Sequence, residues 1–60
     1  MNEQLIQLNH MARRLRVPVR WLMEQAESGK IPALKTGKTY LVNPEAVIDV
    51  LTRRAKEGEQ

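Results

Sequence analysis

Cationic side chains are concentrated in two stretches of the chain that contain no Asp or Glu. Residues 5–23 carry four Arg and one His, and residues 29–43 carry three Lys. Guanidinium and ammonium groups bind phosphate and other anions, and Arg can also bind a guanine edge through two hydrogen bonds. The formal net charge is only +3, so ordinary solubilising charge explains the composition equally well. A fold that brings both stretches to one face would create an anion-binding surface.

The residue types offer no constellation for catalysis. The chain has no Cys, no Gly-rich phosphate loop and a single His, His10, without a second metal ligand at suitable spacing. Sixty residues also leave little room for an enclosed cleft. We therefore predict a protein that is not an enzyme and has no cofactor or metal site, in which His10 is a surface residue.

Length and composition indicate one small domain. The absence of Cys excludes disulfide bonds, and 60 residues form one domain at most. No apolar run approaches the roughly 20 residues that cross a membrane. The first four residues lack the basic and apolar regions of a signal peptide. These features predict a cytoplasmic protein with no membrane partner.

A first short helix is predicted within the Arg-rich stretch, over residues 8–15. Its apolar stripe at i, i+3, i+4 and i+7 consists of Leu8, Met11, Ala12 and Leu15. Near its start, Asn9 is a better capping residue type than Gln7. Three cationic residues fall on the other faces or just beyond the helix: Arg13, Arg14 and Arg16.

A second short helix is predicted over residues 18–27. Pro18 disfavours helical conformation at Val17 and suits the first turn of a new helix. The second stripe consists of Val19, Leu22, Met23 and Ala26. Gly29 supplies the stop because it can take the left-handed conformation of a helix end. Two such helices joined by a short turn are typical of a helix-turn-helix, although any αα-hairpin has the same pattern.

The second acid-free stretch predicts a basic hairpin. Strands are expected near 33–35 and 40–42, where the hydrophobic period changes from helical to extended. Gly37 lies where a tight hairpin turn requires a positive φ. The tip and its flanks carry Lys35, Thr36, Lys38 and Thr39.

A third helix is predicted over residues 44–54. Asn43 can cap it, Pro44 fits its first position, and Glu45 complements the positive end of the helix dipole. Its buried stripe consists of Ala46, Val47, Val50 and Leu51, flanked by Ile48. Three cations suit the negative end of the dipole: Arg53, Arg54 and Lys56.

The order helix, turn, helix, basic hairpin, helix predicts a mainly α fold with a small β-hairpin. This is a winged helix-turn-helix of three short helices and a two-stranded wing. We expect the domain to span residues 6–54, between a flexible N-terminus over 1–5 and a flexible tail over 55–60.

The sequence resembles the excisionase-like DNA-binding domains, a compact branch of the MerR-like winged helix-turn-helix group. The residues that carry the resemblance are Ala12, Leu15, Val17, Ser28-Gly29-Lys30-Ile31-Pro32-Ala33, Gly37, Tyr40-Leu41-Val42 and Asn43-Pro44-Glu45-Ala46. The stretch over 28–33, followed by a hairpin glycine, is the most specific part. The resemblance covers almost the whole of residues 6–51.

The resemblance implies where such a domain would contact double-stranded DNA. The second helix would lie in the major groove, through Val19, Arg20, Met23 and Glu24. The wing would reach the backbone or the minor groove, through Lys35, Lys38 and Thr39. The first helix crosses the DNA backbone in helix-turn-helix docking, so one of its three Arg is expected to contact phosphate, with Arg16 preferred before Arg13. Arg20 is the strongest single candidate.

The resemblance also implies a role as a recombination directionality factor or transcriptional regulator of a phage or mobile element. The expected partners are duplex DNA, further copies on adjacent DNA sites, or a recombinase. We expect the protein to be a monomer in solution. We expect it to lie in the cytoplasm of a bacterial host, in association with the nucleoid.

The chain departs from the family pattern in the second helix. Pro18 stands where the family often has a capping Ser or Thr, and Gln25 where it often has an aromatic residue. Trp21, one turn earlier, either supplies that packing or is exposed as an interface. Glu24 either accepts a hydrogen bond from cytosine N4 or pairs with Arg20, and we favour the pair.

The acids of the second helix support an alternative function. Glu24, Glu27 and an exposed Trp21 would suit a module that docks onto a protein, such as a recombinase or regulator. The salt dependence of binding separates the two hypotheses, because DNA binding weakens steeply with salt.

Overall fold

Three helices and a small sheet alternate along the chain. The computed structural model describes residues 4–58. The elements in chain order are β1 (Ile6–Gln7), α1 (Leu8–Leu15), α2 (Val19–Glu27), β2 (Leu34–Thr36), β3 (Thr39–Val42) and α3 (Pro44–Lys56). All three predicted helices and both predicted strands are present, and α3 continues two residues beyond its predicted end. The expected flexible segments over 1–5 and 55–60 extend outside the described residues.

The helix starts differ in how they are capped. Asn43 caps α3, because its side-chain Oδ1 accepts hydrogen bonds from the amides of Glu45 and Ala46 at 3.0 and 3.4 Å. The expected cap of α1 is wrong: Gln7 occupies the N-cap position without a side-chain hydrogen bond. Asn9 lies inside the helix and accepts a hydrogen bond from the amide of the next residue instead.

The ends of α1 and α2 share one hydrogen-bond motif. After α2, the amides of Gly29 and Lys30 donate to the carbonyls of Ala26 and Gln25, at 3.1 and 2.9 Å. This is a Schellman ending, with a left-handed residue just past the helix. Gly29 takes that position with a φ of 77°, as the sequence predicts.

Arg16 takes the same left-handed position after α1. Its φ is 60° and its ψ is 43°. The amides of Arg16 and Val17 donate to the carbonyls of Arg13 and Ala12, at 3.1 and 3.0 Å. Among residues 4–58, Arg16 is the one residue other than glycine with a positive φ. Nothing in the sequence pattern predicts this conformation.

The hairpin belongs to a three-stranded antiparallel sheet in the order β1-β3-β2. Thr36 pairs with Thr39, which leaves a two-residue turn whose first residue, Gly37, has a φ of 66°. The third strand, β1, is absent from the sequence prediction. It contributes two residues, opposite Val42 and Leu41, and two residues are too few to show an alternating pattern.

The core lies between the helices and the inner face of the sheet. Eight apolar side chains in the described chain are buried: Leu8, Met11, Ala12, Leu22, Ala26, Ile31, Val42 and Val47. Tyr40 packs against this cluster from β3, whereas Leu41 and its partner Leu34 alternate to the other face of the sheet. In the predicted stripe of α3, Val47 is buried and Val50 and Leu51 are half-buried against the core. Ala46 is half-buried, and the flanking Ile48 is 44% exposed.

A polar contact joins α2 to α3. The guanidinium of Arg54 donates a hydrogen bond to Oε1 of Gln25 at 2.9 Å, in a half-buried position. A Phe or Trp side chain at position 25 has no oxygen that could accept this bond. The departure from the family pattern at Gln25 therefore coincides with a specific contact between the two helices.

No helix formed by residues 4–58 combines the length and the apolar character that crossing a membrane requires. The described chain is a winged helix-turn-helix. The structure adds one short strand to the predicted fold.

Candidate nucleic-acid interface

The exposed face of α2 carries the residues that the sequence singled out. Leu22 and Ala26 are buried on the opposite face, so the helix is anchored along one side. Arg20 and Glu24 are exposed on the outer face. Val19 belongs to the stripe predicted to be buried, but as the first residue of α2 it is 40% exposed, and Met23 is half-buried against the core. Three of the four predicted contact positions on α2 therefore have side chains that a ligand could reach.

The N-terminus of α2 has nothing that would repel an anion. Pro18 occupies the N-cap position without a side-chain hydrogen bond, and the first turn contains no acid. The first amides of a helix lack partners within it, and they form the positive end of its dipole. Arg20 lies in this turn, so its positive charge adds to that of the helix end.

The expected ion pair between Arg20 and Glu24 is absent. The two residues lie four apart on the helix, yet the ion pair found in the described residues joins Arg53 to Asp49 on α3. The backbone carbonyl of Glu24 accepts a hydrogen bond from the hydroxyl of Ser28 at 2.8 Å, while its carboxylate stays exposed. Arg20 and Glu24 are therefore both open to a ligand.

Trp21 lies on the inner side of α2. It is half-buried and packs against the core cluster. Its position matches the packing alternative that the sequence left open. The acids of α2, in contrast, are both exposed: Glu24 and Glu27.

The wing presents its predicted contact residues at the surface. Lys35, Lys38 and Thr39 are exposed. The hydroxyls of Thr36 and Thr39 lie 3.2 Å apart across the turn, and the Thr36 hydroxyl also reaches the Thr39 carbonyl at 3.4 Å. These contacts brace the hairpin tip. Sequence reasoning missed them, although two Thr flanking a two-residue turn are placed as a cross-strand pair.

The outer face of α1 forms an open polar groove of about 370 Å³. Its lining consists of Gln7, Asn9, His10, Arg13 and Arg14. Arg13 and Arg14 of α1 are exposed, and so is Arg16, which follows α1 and lies past the groove, in the turn before α2. Nothing in the sequence pattern indicates that Arg13 and Arg14 share a groove with amide and imidazole groups.

The predicted site residues thus occupy three surfaces: the end of α1, the exposed face of α2, and the wing. Each surface offers cationic groups, and α2 adds an exposed apolar side chain, Val19, which is 40% exposed. In chemical terms the arrangement is suited to binding anions, with hydrogen-bonding and apolar groups beside the charges.

The family described as a helix-turn-helix domain matches residues 5–55. No curated protein and no solved structure gives a significant match.

Proposed function

The chain belongs to the helix-turn-helix domain family, and from that premise we propose that it binds double-stranded DNA in a sequence-specific manner. The observation that carries the proposal is the exposed face of α2, where Arg20 follows an acid-free, uncapped helix start. In helix-turn-helix docking, the second helix enters the major groove with its N-terminal residues against the base edges.

The side chains of α2 suit complementary tasks in a major groove. Arg20 binds a guanine edge through two hydrogen bonds, or a phosphate. The exposed methyl groups of Val19 suit the methyl group of thymine. Met23 lies at the margin of this surface, and Glu24 can accept a hydrogen bond from cytosine N4.

The wing and α1 supply contacts that carry no sequence information. Lys35 and Lys38 bind phosphates beside the groove, and the Thr39 hydroxyl can donate to a phosphate oxygen. Arg16, or Arg13 in its place, binds the backbone where α1 crosses it. These contacts set the register of the protein on the duplex, while α2 selects the sequence.

We further propose an excisionase-like role for the protein. It would direct recombination, or regulate transcription, for a phage or mobile element. It would act in the cytoplasm of a bacterial host, in association with the nucleoid. A domain of this size covers a short DNA site, so further copies on adjacent sites, or a recombinase, would extend the complex. The support for this role is the sequence resemblance over residues 6–51.

Fluorescence anisotropy with two labelled duplexes tests the proposal. One duplex has random sequence, and the other comes from the region around the gene of this protein. We expect binding that weakens with salt, with a slope of about −0.9 in log K against log salt per neutralised phosphate, and that favours the native region. Arg20→Ala should lose about 1–3 kcal/mol on the native duplex and relax specificity.

Lys56→Ala is the matched control, because Lys56 is an exposed cation near the end of α3, outside the three surfaces. It should reduce binding far less than Arg20→Ala. Failure of the wild-type protein to bind either duplex at low salt would reject DNA binding. Equal losses in both variants would reject a specific role for Arg20.

The exposed acids of α2 favour one second candidate, a module that docks onto a recombinase or regulator. Glu24 and Glu27 would pair with cations of that partner. Trp21 offers this candidate only its exposed part, because the ring packs against the core. A protein complex that forms without DNA, and that Glu24→Lys disrupts, would support it.

A further inference from the structure

All three helices are followed by a residue in the left-handed conformation. Gly29 and Gly58 take this position after α2 and α3, with φ values of 77° and 78°. Arg16 takes it after α1, with a φ of 60°. The same backbone conformation is therefore adopted by glycine after two helices and by arginine after the third.

The left-handed conformation is unfavourable for arginine. It brings Cβ close to the following carbonyl oxygen, a contact that glycine avoids because it has no Cβ. Asn tolerates the region better than most residues, because its short polar side chain can form local hydrogen bonds. Arg is therefore a poor choice for the stability of this turn.

The side chain of Arg16 makes no specific contact within the folded domain, and its charge at the C-terminus of α1 stabilises that helix only weakly at an exposed position. It is exposed, and it makes no hydrogen bond or ion pair with any residue of the described chain. The turn is closed by backbone hydrogen bonds and by Val17, which packs against the core. A glycine would keep all of these interactions.

We propose that the guanidinium of Arg16 binds a DNA phosphate at the turn between α1 and α2, and that this contact offsets the unfavourable backbone conformation of Arg16. This inference rests on the proposed function and deepens it, because it separates Arg16 from the other two arginines of α1. Arg13 and Arg14 lie in ordinary helical conformation. Of the three arginines, only Arg16 has a backbone conformation that its residue type disfavours, so it lowers the stability of the domain while it raises the affinity for DNA.

Two measurements on the full chain test the inference. Thermal unfolding is followed by circular dichroism, and binding to the random duplex is followed by anisotropy over a range of salt. The variants are Arg16→Asn, Arg16→Gly and Arg16→Lys. Lys56→Gln removes one positive charge elsewhere and is the control for net charge.

Arg16→Asn and Arg16→Gly should melt about 4 °C above the wild type, because both relieve the left-handed arginine. Both should bind DNA about eightfold more weakly at 0.1 M salt, with a salt slope that is shallower by about 0.9. Arg16→Lys should keep the wild-type slope and melting temperature, and Lys56→Gln should keep the slope.

Two outcomes overturn the inference while the proposed function stands. The first is an Arg16→Asn variant that melts at or below the wild-type temperature. The second is a wild type that binds DNA and an Arg16→Asn variant that binds DNA with the same salt slope. If the wild-type protein binds no duplex at low salt, the proposed function fails and the inference fails with it.

Discussion

Arg20 and Glu24 carry opposite charges one helical turn apart on α2, without an ion pair between them. An exposed pair at this spacing contributes only about 0.3–0.5 kcal/mol, so its absence has little consequence for stability. The same small energy is what Arg20 would lose if it had to leave Glu24 on binding. Arg20 approaches a ligand without first breaking a bond to Glu24, while the free carboxylate of Glu24 repels phosphate.

Replacing Glu24 should reveal whether its carboxylate mainly repels DNA phosphates or accepts a hydrogen bond from a base. Glu24→Gln removes one negative charge from the proposed DNA-facing surface. Two like charges about 4 Å apart repel by about 1 kcal/mol in water, so binding to random duplex should strengthen about fivefold at low salt. Anisotropy at several salt concentrations measures this gain, which should disappear at high salt as the charges are screened.

Glu57→Gln is the control for that experiment, because Glu57 is an exposed acid at the end of α3. It should change the affinity much less than Glu24→Gln. If Glu24→Gln instead leaves binding to random duplex unchanged and lowers the preference for native DNA, the repulsion argument is wrong and the carboxylate reads a base.

At the scale of elements, the helices were predictable because each repeats an apolar stripe over at least two turns. Their boundaries also followed from local chemistry, as at Asn43 and Gly29. The strand β1 was not predictable, since two residues have no period and their pairing depends on β3, more than 30 positions along the chain. The Arg16 conformation was not predictable either, because residue type argues against it.

The cap of α3 should contribute measurably to stability. Asn43→Ala removes the side-chain acceptor for two amides at the start of α3. The expected loss is about 1 kcal/mol in the free energy of unfolding, which chemical denaturation monitored by circular dichroism can measure.

Asn9→Ala offers a matched control, because the side chain of Asn9 is exposed and accepts one hydrogen bond from the neighbouring amide. This variant should lose less stability than Asn43→Ala. If Asn9→Ala loses as much free energy of unfolding as Asn43→Ala, the cap formed by Asn43 makes no special contribution to stability.

The stability of the whole domain depends on a small number of core side chains. A domain of 60 residues is stabilised by about 3–9 kcal/mol in total. A single large-to-small substitution in a core removes about 2–5 kcal/mol. Met11 is one of the largest side chains in the core cluster and is fully buried, at 0% exposure.

Met11→Ala should therefore unfold the domain or bring its melting temperature close to ambient, as seen by loss of the helical circular dichroism signal. Leu34→Ala removes a comparable side chain that is 56% exposed on the outer face of the sheet, and it should melt within a few degrees of the wild type. Similar melting temperatures for the two variants would contradict the assigned core.

The sheet order has a consequence for how the wing responds to a partner. β3 is bonded on both sides, whereas β2 has one free edge and all three of its residues are exposed. Local opening in a protein is easiest where few contacts are buried. The outer strand of the wing can therefore open and reclose while β3 remains in the cooperative unit that unfolds only with the whole domain. Contact with a ligand would order that outer strand, so binding through the wing would cost conformational entropy. Binding through the rigid face of α2 would not have this cost.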